Sequence, residues 1–221
     1  MIRIKICGIT QAEDALLACE LGADAIGFIF YEKSLRWITL ERAAAIVAQL
    51  PEHVARVGVF VTTPPEEIRR YIECVHLTAV QFHGEYDVSV LAQFPEVQVI
   101  AVARVRELFQ ARELEKFHKV SSAILLDTYQ KGRPGGTGAT FDWQAAIDAK
   151  AYGRIILAGG LNPENVQQAA ETVQPYALDI SSGVEASPGK KDHARLRQLF
   201  NNLQEFRSDW QAARPHLFPE R

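Results

Sequence analysis

The pattern of apolar and polar positions along the chain switches repeatedly between two periods. Arg3-Ile4-Lys5-Ile6-Cys7 alternates, which predicts a strand ended by Gly8. Ala15, Leu16, Cys19 and Leu21 then follow a helical rhythm. Thr10, with Glu13 three residues on, has capping-box spacing for that helix, and Gly22 stops it. The unit recurs. Further strands are expected over residues 25–30, 55–61, 77–82, 97–105, 123–127, 154–158 and 176–180. Helices are expected over 40–50, from Pro64-Pro65 to Tyr71, and over 88–94, 107–118, 143–149, 163–173 and 191–206.

Strands separated by helices are parallel, because a parallel return needs a crossover. The fold class is therefore α/β, and eight such units close into a single (β/α)8 TIM barrel. A doubly wound open sheet is the alternative. It more often carries its glycine fingerprint after the first strand. Here the glycines cluster after strands 6, 7 and 8. The organisation expected is one catalytic barrel domain over residues 1–207. Residues 208–221, with Pro215 and Pro219, form a C-terminal tail that packs on the outside or frays.

Composition narrows the function classes. The 221 residues are 48% hydrophobic and 23% charged, which excludes a disordered or fibrous chain. The net charge of −3 provides no basic field for nucleic acid. No apolar run reaches the ~18 residues of a membrane span. The start of the chain lacks the apolar core and cleavage site of a signal peptide. Cys7, Cys19 and Cys74 are scattered, with neither zinc spacing nor a disulfide framework. A cytoplasmic enzyme with no nucleic-acid or membrane partner is expected, as a monomer or a homodimer.

Active sites of such barrels lie at the C-terminal ends of the strands. Strand 1 ends in Cys7, strand 4 in Gln81 and His83, strand 6 in Asp127, strand 7 in Gly159-Gly160. Strand 8 carries Asp179 and then Ser181-Ser182-Gly183. Small residues after strands 7 and 8 expose backbone N–H groups and suit a phosphate. The alternative is tight turns alone, and two neighbouring loops of this kind favour phosphate. Cys7 and Asp127, on well-separated strands, can form a base and acid pair across the mouth. A lone cysteine usually just packs. A carboxylate ending the apolar run Ile124-Leu125-Leu126 is paired or functional.

Lys5 lies two residues before Cys7 and so shares its side of the strand. It either lowers the Cys7 thiol pKa or forms a structural ion pair in the barrel floor, for instance with Asp179. His83 binds an anionic group or is simply hydrogen-bonded at the mouth. Arg36, in the loop after strand 2, clamps a carboxylate or is a solvated charge. Metal binding is disfavoured, because His76 and His83 lack ligand spacing and no carboxylate cluster accompanies them.

Taken in order, Lys5-Ile6-Cys7-Gly8, Gly27-Phe28-Ile29-Phe30, Gln81-Phe82-His83-Gly84 and Leu126-Asp127 form one series. It continues with Gly135-Gly136-Thr137-Gly138, Phe141-Asp142-Trp143 and the stretch from Leu157 to Val166. Asp179-Ile180-Ser181-Ser182-Gly183-Val184-Glu185 and Pro188-Gly189-Lys190-Lys191-Asp192 close it. The series closely resembles the phosphoribosylanthranilate isomerases of tryptophan biosynthesis, from about Ile2 to Phe206. The family usually has Ser-Pro-Arg after strand 2, whereas Ser34-Leu35-Arg36 stands here, without the stiffening proline. No neighbouring indole-glycerol-phosphate synthase domain is present, so a stand-alone isomerase is expected.

The resemblance implies an Amadori rearrangement of a phosphorylated aminosugar, without redox change and so without a cofactor. It implies Asp127 as general acid and Cys7 as general base. Arg36, with His83, would meet the anthranilate carboxylate. The backbone at Gly159, Gly160, Ser181, Ser182 and Gly183 would hold the phosphate. Asp179 would orient sugar hydroxyls or neutralise Lys5. The rival readings are a lyase or aldolase, which needs a Schiff-base lysine at a strand end, and a phosphosugar-binding protein without catalysis.

Overall fold

Eight parallel strands close into a barrel in chain order in the computed structural model, which describes residues 1–105, 109–127, 143–207 and 217. They are β1 (Arg3–Cys7), β2 (Ala25–Ile29), β3 (Ala55–Phe60) and β4 (Ala79–Phe82), followed by β5 (Gln98–Arg104), β6 (Ala123–Asp127), β7 (Ile155–Ala158) and β8 (Ala177–Ile180). Between them run α1 (Ala12–Leu21), α2 (Leu40–Val47), α3 (Pro65–Val75), α4 (Val88–Leu91), α5 (Gln144–Ala149) and α6 (Val166–Val173). The expected barrel is present. Among the described residues, no helix is long and apolar enough to cross a membrane.

Strand parity builds two cores. Outward residues such as Ile4, Ile6, Ile26, Phe28 and Leu126 join the layer between strands and helices. Inward residues Ala25, Ala55, Val57, Ala79, Ile100, Leu125, Ile156 and Ala177 fill the barrel. The barrel interior is therefore packed and not a pore, and its polar groups gather toward the mouth. Leu217 is buried in this inner cluster, so at that point the C-terminal segment reaches the barrel interior. The rest of the expected tail lies outside the described residues. So do the Gly135-Gly136-Thr137-Gly138 motif, Phe141 and Asp142.

Several element ends differ from the sequence pattern. The capping box at Thr10 does not form. Gln11 occupies the N-cap of α1, and Thr10 Oγ1 instead donates to the carbonyl of Gly189. That hydroxyl is taken by a segment distant in sequence, which a local pattern does not reveal. The helix expected over 107–118 is a 3-10 helix over Ala111–Phe117. Its reciprocal cap between Gln110 and Glu113 sets a later start. The helix expected from Pro163 begins at Val166, because the preceding loop folds on itself through Asn162 and Asn165.

The largest departure follows β8. A 3-10 turn (Ser182–Val184) leads into an antiparallel hairpin of β9 (Glu185–Ser187) and β10 (Lys190–Lys191). Only then does α7 (His193–Asn202) start, with the Asp192 side chain accepting from the N–H groups of Ala194 and Arg195. Lys191, expected to open that helix, is instead inserted into the protein.

Candidate active site

The floor of the site is set by β1 and β8. Cross-strand pairing places Lys5 beside Asp179, and Lys5 Nζ donates to Asp179 Oδ1 at 2.9 Å. Lys5 is fully buried. Burial pulls its ammonium down, and Asp179 with Cys7 more than offsets this, so Lys5 stays above the ordinary lysine value. Cys7 stands one rung nearer the mouth, 5% exposed. Burial pushes its thiol up, and Lys5 and Lys191 oppose that without overcoming it. The expectation that Lys5 brings the thiol below its usual value is therefore corrected. Both readings of Lys5 contain part of the answer: it is an ion pair with Asp179 and also the cation beside Cys7.

Gly27 on β2 makes the space. A Cβ there would lie 2.8 Å from Cys7 Sγ and 3.1 Å from Lys5 Cε. Any other residue would displace the thiol or the lysine stem.

Asp127 ends β6, separated from β1 by β7 and β8. His83 reaches it from the end of β4, with Nε2 3.6 Å from Asp127 Oδ2. Burial lowers the His83 pKa, with Asp127 opposing and Arg104 reinforcing, so the imidazole is neutral at pH 7. Both side chains keep part of their surface open to solvent, 30% and 22%. The structure thus joins two of the expected site residues that the sequence left separate.

Arg36 is neither a solvated charge nor an unoccupied clamp. Its Nε and Nη2 donate to both oxygens of Glu185, at 2.8 and 2.6 Å for the shortest pair on each. The bonds to Glu185 hold the guanidinium pKa above its ordinary value, against burial. Its stem crosses Gly8, where a Cβ would lie 2.7 Å from Arg36 Cδ. Among the described residues, Nη1 makes no hydrogen bond, so one edge of the fork remains available.

The loops after β7 and β8 meet. A Cβ on Gly183 would strike the Leu161 carbonyl at 1.9 Å, so only glycine lets the two loops touch. Gly159 and Gly160 have φ of 90° and 69°. The side-chain amides of Asn162 and Asn165 both donate to the Gly160 carbonyl, which fixes that loop. Arg195 Nε on α7 holds the Gly183 carbonyl at 3.0 Å. Ser181 Oγ is buried and, among the described residues, makes no hydrogen bond. A buried hydroxyl of that kind normally has a partner, and a ligand oxygen in this loop pair would supply one.

Lys191 and Glu185 were not singled out in the sequence. Their signal was a lysine at the end of Pro188-Gly189-Lys190-Lys191, six residues from a glutamate. Nothing local distinguishes it from a solvated charge, because lysine is almost never fully buried unless paired.

Comparison with known proteins agrees with this arrangement. The family described as N-(5'phosphoribosyl)anthranilate (PRA) isomerase matches residues 4–202. The N-(5'-phosphoribosyl)anthranilate isomerase of Geobacter sulfurreducens is 47% identical over 199 residues, covering 90% of this chain and 97% of that protein. The crystal structure of phosphoribosyl anthranilate isomerase from Thermotoga maritima superposes with a TM-score of 0.86 at 44% identity, covering 93% of this chain and 100% of the other. Another crystal structure of such an isomerase, in complex with reduced 1-(o-carboxyphenylamino)-1-deoxyribulose 5-phosphate, gives 0.83 at 42% identity, with coverage of 93% and 100%. Barrel, mouth residues and relatives together place this chain in the N-(5'-phosphoribosyl)anthranilate isomerase family.

Proposed function

We propose that this chain catalyses the Amadori rearrangement of N-(5-phosphoribosyl)anthranilate to 1-(2-carboxyphenylamino)-1-deoxyribulose 5-phosphate. Cys7 is the general base and Asp127 the general acid. The observation that carries the assignment is the common mouth. A thiol backed by the Lys5 ammonium ends β1, a carboxyl beside a neutral His83 ends β6, and paired small-residue loops end β7 and β8.

The chemistry balances without a redox partner. Protonated Asp127 donates to the furanose ring oxygen. The C1′–O bond breaks as the anthranilate nitrogen forms the Schiff base. The Cys7 thiolate then removes the C2′ proton, and the freed electron pair gives the enolamine. Protonation at C1′ with loss of the 2′-hydroxyl proton yields the ketone. Substrate and product are isomers. Each such transfer typically contributes ~10²–10⁴-fold in rate. Burial, which raises the Cys7 pKa, makes its thiolate a strong base, and the adjacent Lys5 ammonium stabilises that thiolate.

The substrate's two anionic ends have separate supports. The phosphate sits against Gly159, Gly160, Ser181, Ser182 and Gly183, and its oxygen would satisfy Ser181 Oγ. The anthranilate carboxylate meets Nη1 of Arg36. Asp179 is committed to Lys5 through one oxygen, and its other oxygen can orient a sugar hydroxyl. An aldolase reading finds no support here, since Lys5 and Lys191 are both buried and ion-paired, unsuited to carbonyl attack.

The test is turnover of freshly prepared phosphoribosylanthranilate, followed by loss of anthranilate fluorescence, with Arg36→Ala alongside wild type. Rapid loss in wild type and a raised KM in the variant are expected. No loss in wild type would overturn the reaction. An unchanged KM in Arg36→Ala would overturn the carboxylate assignment.

A further inference from the structure

Behind Arg36 lies a buried charge cluster that the mechanism above does not use. Lys191 is 2% exposed, and its ammonium spends all three donors. Nζ lies 2.7 Å from the Cys7 carbonyl, 3.0 Å from the Ser181 carbonyl and 3.0 Å from Glu185 Oε1. Glu185 has a side chain only 4% exposed and accepts from Lys191 and from Arg36 Nε and Nη2. One lysine thus ties the end of β1 to the end of β8, and one carboxylate ties both to the loop after β2.

The cluster is itself anchored. The Lys191 N–H donates to Asp14 Oδ2 at 2.8 Å, and His193 Nε2 meets Asp14 Oδ1 at 2.8 Å. The N–H of Gly189 approaches Glu185 Oε1 at 3.4 Å. These contacts fix the β9–β10 hairpin against α1. Arg36 and Lys191 both donate to the one Glu185 carboxylate. Bidentate engagement of Nε and Nη2 leaves the guanidinium plane little freedom, so Glu185 determines where Nη1 points.

We propose that Glu185 and Lys191 are positioning residues, through which the hairpin after β8 aims Arg36 at the substrate carboxylate while holding the Cys7 and Ser181 backbone in register. This rests on the assignment of Arg36 to the substrate carboxylate. Glu185 touches no reacting atom; it acts through Arg36, and Lys191 holds Glu185 in place.

The test is a double-mutant cycle on steady-state kinetics with phosphoribosylanthranilate: wild type, Glu185→Gln, Arg36→Ala and the double variant. Glu185→Gln is expected to raise KM about tenfold with kcat within about threefold, because ground-state placement is lost. In the Arg36→Ala background the same change is expected to add less than about twofold, since its route is already gone. A purely structural role would give effects that multiply. An unchanged KM in Glu185→Gln, or full multiplication onto Arg36→Ala, overturns the proposal. An unchanged KM in Arg36→Ala removes its premise instead, and the two failures are distinguishable. Should Glu185→Gln not fold, Glu185→Asp keeps the charge but withdraws the carboxylate by one methylene. The same KM rise is expected there, and a wild-type KM overturns the proposal.

Discussion

Lys5 and Asp179 face each other on neighbouring strands inside the barrel, with Nζ and Oδ1 2.9 Å apart, one rung below the Cys7 thiol. The pair has two consequences. It removes the cost of a fully buried ammonium, and it leaves a fixed positive charge beside the atom that must become a thiolate. Lys5→Met leaves Asp179 unpaired in the interior. It should cost about 3–5 kcal/mol of stability, measured by urea unfolding. The double variant Lys5→Met with Asp179→Leu should recover much of that stability, yet not the lost turnover. A double variant as unstable as the single one would contradict the pairing argument.

Gly27 is needed as empty space. Gly27→Ala places a Cβ 2.8 Å from Cys7 Sγ and 3.2 Å from Cys7 Cα, so the backbone of β1 or the thiol must yield. A displaced base costs turnover more than binding. We expect kcat to fall about 10²-fold with KM within about threefold. Steady-state kinetics at saturating substrate check this, and an unchanged kcat would show that the site tolerates a moved thiol.

Acid stability should depend on Glu185. Burial alone would raise its pKa, but Arg36 and Lys191 hold it below the ordinary value of 4.5. A carboxyl lowered on folding contributes stability above its unfolded pKa and loses it as pH falls through the folded value. Wild type should therefore melt well above Glu185→Gln at pH 6, with the gap closing below pH 4. Melting temperatures across that range provide the measurement. A gap as wide at pH 3.5 as at pH 6 would mean the carboxylate charge is not what matters.

Much of this site was legible because parity and strand ends are local properties. The bounds of β1 and β6 follow from alternation and from the apolar run ending in Asp127. Period-two geometry alone puts Lys5 and Cys7 on one side of the strand. What was not legible depends on closure. His83 meets Asp127 across the intervening β5, and only the barrel's radius and the reach of the imidazole decide that distance. Arg36 and Glu185 are 149 residues apart in the chain, joined because β2 and β8 both flank β1. Lys191 was the hardest, since Lys190-Lys191-Asp192 reads as a polar helix start. A hairpin two residues wide carries too little pattern to compete with that reading.

The central claim is that Cys7 and Asp127 move the protons. Its most direct measurement is kcat for Cys7→Ala and Asp127→Asn with phosphoribosylanthranilate, each variant shown by circular dichroism to be folded. Losses of at least ~10²-fold in both, with KM little changed, are the predicted result. Near wild-type kcat in either folded variant would contradict the account and remove that residue from its role.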